Sequence, residues 1–172
     1  MGWRRHFERF VDALNFVASL VCHGLLVVIT TIICAQVFLR FVLNSATSWS
    51  EEVALLCLIW FGMLAIAIGI RRHEHVAISY FRDKLPAPLA LTLDYGAQVL
   101  IAAFMLVVLV YGRDLVALAG VQLLPASGIA KAWLYMPTIA GGALGTFNAI
   151  ANILLRDLGA APITAVEPVD AR

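Results

Sequence analysis

At 172 residues, 62% hydrophobic and 13% charged, with a mean hydropathy of +0.92, the chain is far more apolar than a soluble domain, where about a quarter of residues are charged. A net charge of only +1 leaves no electrostatic basis for binding nucleic acid. The apolar residues fall in four blocks, at about 13–39, 53–70, 89–110 and 133–155. Each is near or above the roughly 20 residues that cross a hydrocarbon core of about 30 Å. The expectation is an all-α integral membrane protein: a four-transmembrane-helix bundle forming a single domain over residues 1–158.

Ahead of the first block, Trp3, Phe7, Phe10 and Leu14 recur at helical spacing, while Arg4, Arg5, Glu8, Arg9 and Asp12 take the other faces. This predicts an amphipathic lead-in lying on the lipid surface and continuous with the first helix. A cleavable signal also begins with basic residues, but this apolar run of about 27 residues is too long for one, and no small-x-small site ends it. Cys22, Cys34 and Cys57 fall inside spans without the paired spacing of redox or zinc sites, so they read as buried apolar side chains. His23, the one histidine deep in a span, shares a face with Ser19 and Thr30, which suits an interhelical hydrogen bond. A bis-histidine haem would need a second such residue on a facing helix.

The first helix ends at Arg40, and the short polar connection Asn44–Ser50 makes the first two helices an antiparallel hairpin. Ser48-Trp49-Ser50-Glu51 matches a capping box opening the second helix. Trp49, Glu52, Leu56 and Trp60 then follow at steps of 3, 4 and 4, a stripe better suited to protein than to lipid. Arg40 is expected to pair with Glu51 or Glu52 across the hairpin. Arg40, Trp49, Glu51, Glu52 and Trp60 are therefore the candidate subunit or partner contacts.

The central connection carries Arg71, Arg72, Arg82 and Lys84, interrupted by apolar residues, and predicts a short interfacial helix or turn with Tyr80 and Phe81 at headgroup depth. Asp94 and Gln98 share a face at the start of the third helix, where water is expected to reach them. The connection Arg113–Ala132 is apolar for a loop. Trp133, Tyr135 and Pro137 open the fourth helix, with the proline in its first turn. Further along, Gly141, Gly145, Asn148 and Asn152 fall within about 60° of arc, a helix-packing face on which glycines admit a neighbouring backbone and asparagines bond across. The small, proline and acidic residues of 159–172 predict a disordered cytoplasmic tail. Basic residues concentrate before the first helix, between the second and third, and after the fourth, which predicts both termini in the cytoplasm. Arg4, Arg5, Arg9, Arg71 and Arg72 are the expected anchors to anionic membrane lipids.

Chemistry has little to work with. His73 and His75 flank Glu74, but rings two residues apart on a helix point to different faces, so a shared metal is not expected. No nucleophile elbow, zinc-protease helix or phosphate-binding glycine loop occurs. Neither catalysis nor a cofactor or metal is expected.

Arg40-Phe41, Trp49-Ser50-Glu51-Glu52, Trp60, Gly62 and Arg71 to His75, with Leu134-Tyr135-Met136-Pro137 entering the fourth helix, together resemble the small, DctQ-type permease subunit of tripartite ATP-independent periplasmic (TRAP) transporters. The resemblance covers essentially the whole chain, and Trp-Ser-Glu-Glu after an arginine-ended helix is its specific part. It implies an inner-membrane subunit with two partners: a large permease subunit that moves organic acids on an ion gradient, and a periplasmic solute-binding protein that delivers them. The small subunit would be the static scaffold. Two competing readings are a four-helix anchor of a redox complex and a self-sufficient small transporter.

Overall fold

A computed structural model of the chain describes residues 2–45, 47–72 and 86–155. The central segment with His73, His75, Tyr80 and Phe81, and the tail 159–172, lie outside the described residues. Four helices account for nearly everything described: α1 Gly2–Phe41, α2 Ser48–Arg71, α3 Ala87–Ala119 and α4 Ala132–Leu155. All four are long and apolar enough to cross a membrane.

The amphipathic lead-in and the first span are one unbroken helix of 40 residues, about 60 Å at 1.5 Å per residue. It stops where Asn44 takes a positive φ of 53°, a conformation that asparagine tolerates better than most residues. Beyond it, Ser45 N–H returns to the Leu39 carbonyl at 3.0 Å.

At the start of α2 the expected capping box does not form. Thr47, extended at φ −107° and ψ 110°, is the N-cap, and no side chain caps the helix. Ser48 is already helical, which removes it from the position where a serine oxygen reaches the free amides. Ser50 Oγ instead donates to the Thr47 carbonyl at 2.7 Å.

α3 runs nine residues past its expected end at 110. The sequence Leu115-Val116-Ala117-Leu118-Ala119 has no glycine or proline to stop it, and a helix need not end where hydropathy falls at Arg113 and Asp114. The rest of that connection is a narrow hairpin. Leu123 pairs with Ala130, Leu124 N–H meets the Ile129 carbonyl at 2.8 Å, and Gly128 turns the chain at φ 69°.

In space the helices run α1, α2, α4, α3, with α4 packed between α2 and α3, and α1 against α2. Small residues make the centre of this row possible. A Cβ added at Gly141 would lie 2.8 Å from the Met63 carbonyl oxygen, and one at Gly142 3.0 Å from the Leu109 amide nitrogen. Neither position could carry a side chain without parting the helices. Around them, Ala18, Cys22, Leu64 and Ile68 form one apolar cluster with Trp60, Phe61 and Leu144. Ile70, Met105 and Ala149 form another. Cys22 and Cys57 are buried as expected, whereas Cys34 faces outward because it lies off the α1 stripe of Val11, Asn15, Ala18, Cys22 and Ile29 that meets the other helices.

Candidate functional site

The polar side chains gather at the two ends of the helices. At the end where α1 begins and α4 finishes, Asn15 of α1 and Asn148 of α4 face each other through their amides. Each Nδ2 donates to the other's Oδ1 at 2.8 Å. The remaining hydrogens are also used: Asn15 donates to the Val11 carbonyl at 2.9 Å and Asn148 to the Ala67 carbonyl of α2 at 2.7 Å. One turn on, Asn152 donates to the Ile70 carbonyl at 2.9 Å and accepts from Arg71 Nη1 at 2.8 Å. Arg71 closes the network through Nη2, 2.9 Å from Asp12 Oδ1. Three helices are thus joined by two sets of hydrogen bonds one turn apart, in which Asn148 and Asn152 are fully buried.

This network corrects the reading of Arg71 as a lipid anchor. Its side chain is only 9% exposed, because three of its guanidinium nitrogens point at Asp12 and Asn152. Arg4 also bonds within the protein, donating to the Leu155 carbonyl at 2.7 Å at the end of α4, a stabilising place for a cation. Arg5, Arg9 and Arg72 are exposed.

At the loop end, the expected ion pair from Arg40 to Glu51 or Glu52 is absent. Glu51 instead accepts from Gln36 Nε2 at 2.9 Å, which already brings α1 to α2 one turn below Arg40. Arg40 lies over its neighbour Phe41, 5.9 Å from the ring centroid, and lines a small crevice with Gln36, Thr47, Ser48 and Glu51. Glu52 reaches the hairpin. Its carboxylate accepts from Ala126 N–H at 3.0 Å, Ser127 N–H at 2.7 Å and Ser127 Oγ at 2.6 Å. A single acid at the start of α2 therefore fixes the tip of the loop between α3 and α4.

Trp60, placed by sequence among the partner contacts, also bonds inside the chain. Its Nε1 donates to the Trp133 carbonyl at 3.1 Å. Pro137 explains why that carbonyl is available. It lies inside α4 rather than in its first turn, and a proline four residues on has no N–H to return to Trp133. The indole supplies the missing donor.

Asp94 and Gln98 are buried rather than in contact with water, since they continue the α3 stripe of Met105 and Gly112 that faces α4. His23 Nδ1 lies 2.6 Å from the Ser19 carbonyl of its own helix, so the expected interhelical bond is not made here. Trp49 remains half exposed. Asp12, Asn15, Gln36 and Ser127 were not singled out by the sequence, although two intramembrane amides on α1, Asn15 and Gln36, are a signal of the same kind as Asn148.

Among the described residues no three histidine, cysteine, aspartate or glutamate side chains come together as metal ligands. What the polar groups do is bind helix to helix. The family model for tripartite ATP-independent periplasmic transporters, DctQ component, matches residues 29–158. The chain belongs to this family. It is 28% identical over 149 residues to the sialic acid TRAP transporter small permease protein SiaQ of Vibrio cholerae, covering 81% of each protein. It is also 29% identical over 118 residues to the sialic acid TRAP transporter permease protein SiaT of Haemophilus influenzae, a match covering 67% of this chain but 19% of that protein. The family is a membrane component of transporters rather than a group of enzymes. With four spans, this member is a multi-pass protein of the bacterial inner membrane.

Proposed function

We propose that this small TRAP permease subunit is the fixed membrane scaffold on which a large permease subunit moves its substrate. Organic acids brought by a periplasmic binding protein are the cargo, and an ion gradient drives their uptake. The observation that carries this reading is the use made of intramembrane polar groups. Asn15, Asn148, Asn152 and Arg71 satisfy one another and the backbone between helices, which suits a subunit that holds its shape. A coupling-ion site needs polar groups or broken helices left open to the ion.

Both termini lie in the cytoplasm on this reading, following the basic residues at that end. Arg5, Arg9 and Arg72 then meet anionic lipid. Arg40, Trp49 and the hairpin held by Glu52 face the periplasm, where they are available to the binding protein or the large subunit. The test is affinity purification of the tagged chain from a membrane that also carries its large subunit. A stoichiometric large permease is expected, and liposomes holding the small chain alone should show no uptake. Uptake by the small chain alone would overturn the proposal.

A further inference from the structure

Two faces of α1 repeat at steps of three, four or seven residues. The first, Val11, Asn15, Ala18, Cys22 and Ile29, is buried inside the protein. The second is displaced by one position, about 100° around the helix, and comprises Phe16, Ser19, His23, Leu26, Thr30 and Val37. All of these are exposed except the half-buried Ser19. A sustained three-four alternation keeps one seam of a helix against a neighbouring helix over several turns. Apolar residues alone would suit lipid equally well, so the polar members decide the matter.

His23 is central to this seam. It stands ten residues inside the first expected span, about 15 Å from the start of that span. Its Nδ1 lies 2.6 Å from a carbonyl oxygen. A carbonyl can only accept, so Nδ1 carries the hydrogen, and in the neutral ring Nε2 is left as an acceptor directed away from its own helix. Lipid tails contain no donor, and an ionisable side chain at this depth ordinarily faces protein or water. Beside it, Gly24 adds no bulk, and a Cβ there would meet nothing within 4 Å.

We propose that the face of α1 carrying Phe16, His23, Leu26, Thr30 and Val37 packs against a transmembrane helix of the large permease subunit, which donates a hydrogen bond to His23 Nε2. The donor is a hydroxyl, an amide or an indole N–H. This rests on the reading of the chain as a small TRAP subunit. Two observations select the occupant. α1 stands at one edge of the α1, α2, α4, α3 row, so this flank opens outward from the protein. In the Haemophilus influenzae permease the region matching 118 residues of this chain makes up 19% of a single longer polypeptide, so in that relative a segment like most of this chain is built into the permease itself.

The test uses the complex of the chain with its own large subunit. Photo-crosslinking residues placed at Leu26 and Val37 should trap the large subunit, and one at Val21, on the opposite flank, should not. His23→Leu should lower recovery of the large subunit about fivefold, the scale of one intramembrane hydrogen bond. His23→Gln, which restores an acceptor near the place of Nε2, should keep recovery within about twofold. The variants' own thermal midpoints, measured on the isolated small subunit, separate loss of contact from loss of fold. Crosslinks from Leu26 and Val37 that reach only lipid or a second copy of this chain would overturn the inference, as would equal recovery with leucine and histidine in a correctly folded protein. If the wild-type chain recovers no large subunit at all, the small-subunit reading itself fails.

Discussion

The two ends of the protein are held by different chemistry. At the terminal end the fastening is buried and reciprocal: side-chain amides on α1 and α4 bond each other and the backbone of α2. At the loop end it is peripheral, where Glu51 meets one glutamine and Glu52 meets a hairpin tip. Buried polar groups are costly when left without a partner, whereas water replaces a partner lost at the surface. The terminal end is therefore the part whose bonds set helix packing, and the loop end the part whose bonds set the shape of a presented surface.

The strongest attack on this contrast is Asn148→Leu. It leaves Asn15 Oδ1 and one Asn15 Nδ2 hydrogen without a partner inside the protein, and a loss of about 2 kcal/mol is expected in reversible unfolding in detergent. Adding Asn15→Leu should restore part of that loss, because the stranded amide goes with it. Strict additivity in the double-mutant cycle would show that the two amides do not act as a pair. Trp60→Phe should follow at about 1 kcal/mol, since it leaves the Trp133 carbonyl above Pro137 without a donor. An unchanged thermal midpoint would mean that the indole bond is not needed there. Asp12→Asn removes the charge facing Arg71 while keeping an acceptor, and Asp12 is largely exposed, so less than about 1 kcal/mol is expected. The smallest effect on stability belongs to Glu52→Ala. Its midpoint should stay at the wild-type value while limited proteolysis at residues 125–128 quickens several-fold. A hairpin equally resistant without Glu52 would remove the loop end from the comparison.

Much of this architecture was legible because lipid is a simple solvent. Apolar blocks long enough to span it become helices, and Asn148 and Asn152 stand out there because an amide needs a partner. Gly141 and Gly145 were legible for the complementary reason, as places where a neighbour can come close. Arg71 was misread because a cation at a helix end looks the same in sequence whether it meets a phosphate or Asp12, 59 positions away. Glu51 and Glu52 stood out as acids opening a helix, but their partners within the chain did not. Gln36 lay inside an apolar run, and Ser127 belonged to a loop whose hairpin depends on long-range pairing. The link between Trp60 and Trp133 was the least visible, although Pro137 marks the carbonyl that needs a donor.

The hairpin of α1 and α2 is riveted at two levels, by Arg71 with Asp12 and by Gln36 with Glu51. Along α2 these levels are 20 residues apart, about 30 Å of helix, which is close to the thickness of the hydrocarbon layer. Two helices fastened at both heights resist sliding past each other to suit a thinner or thicker membrane. The usual accommodation of mismatch by independent helix tilt costs them both bonds. The hairpin thus acts as a gauge: it favours lipid that stretches or compresses to its length, or a subunit that leans as one body.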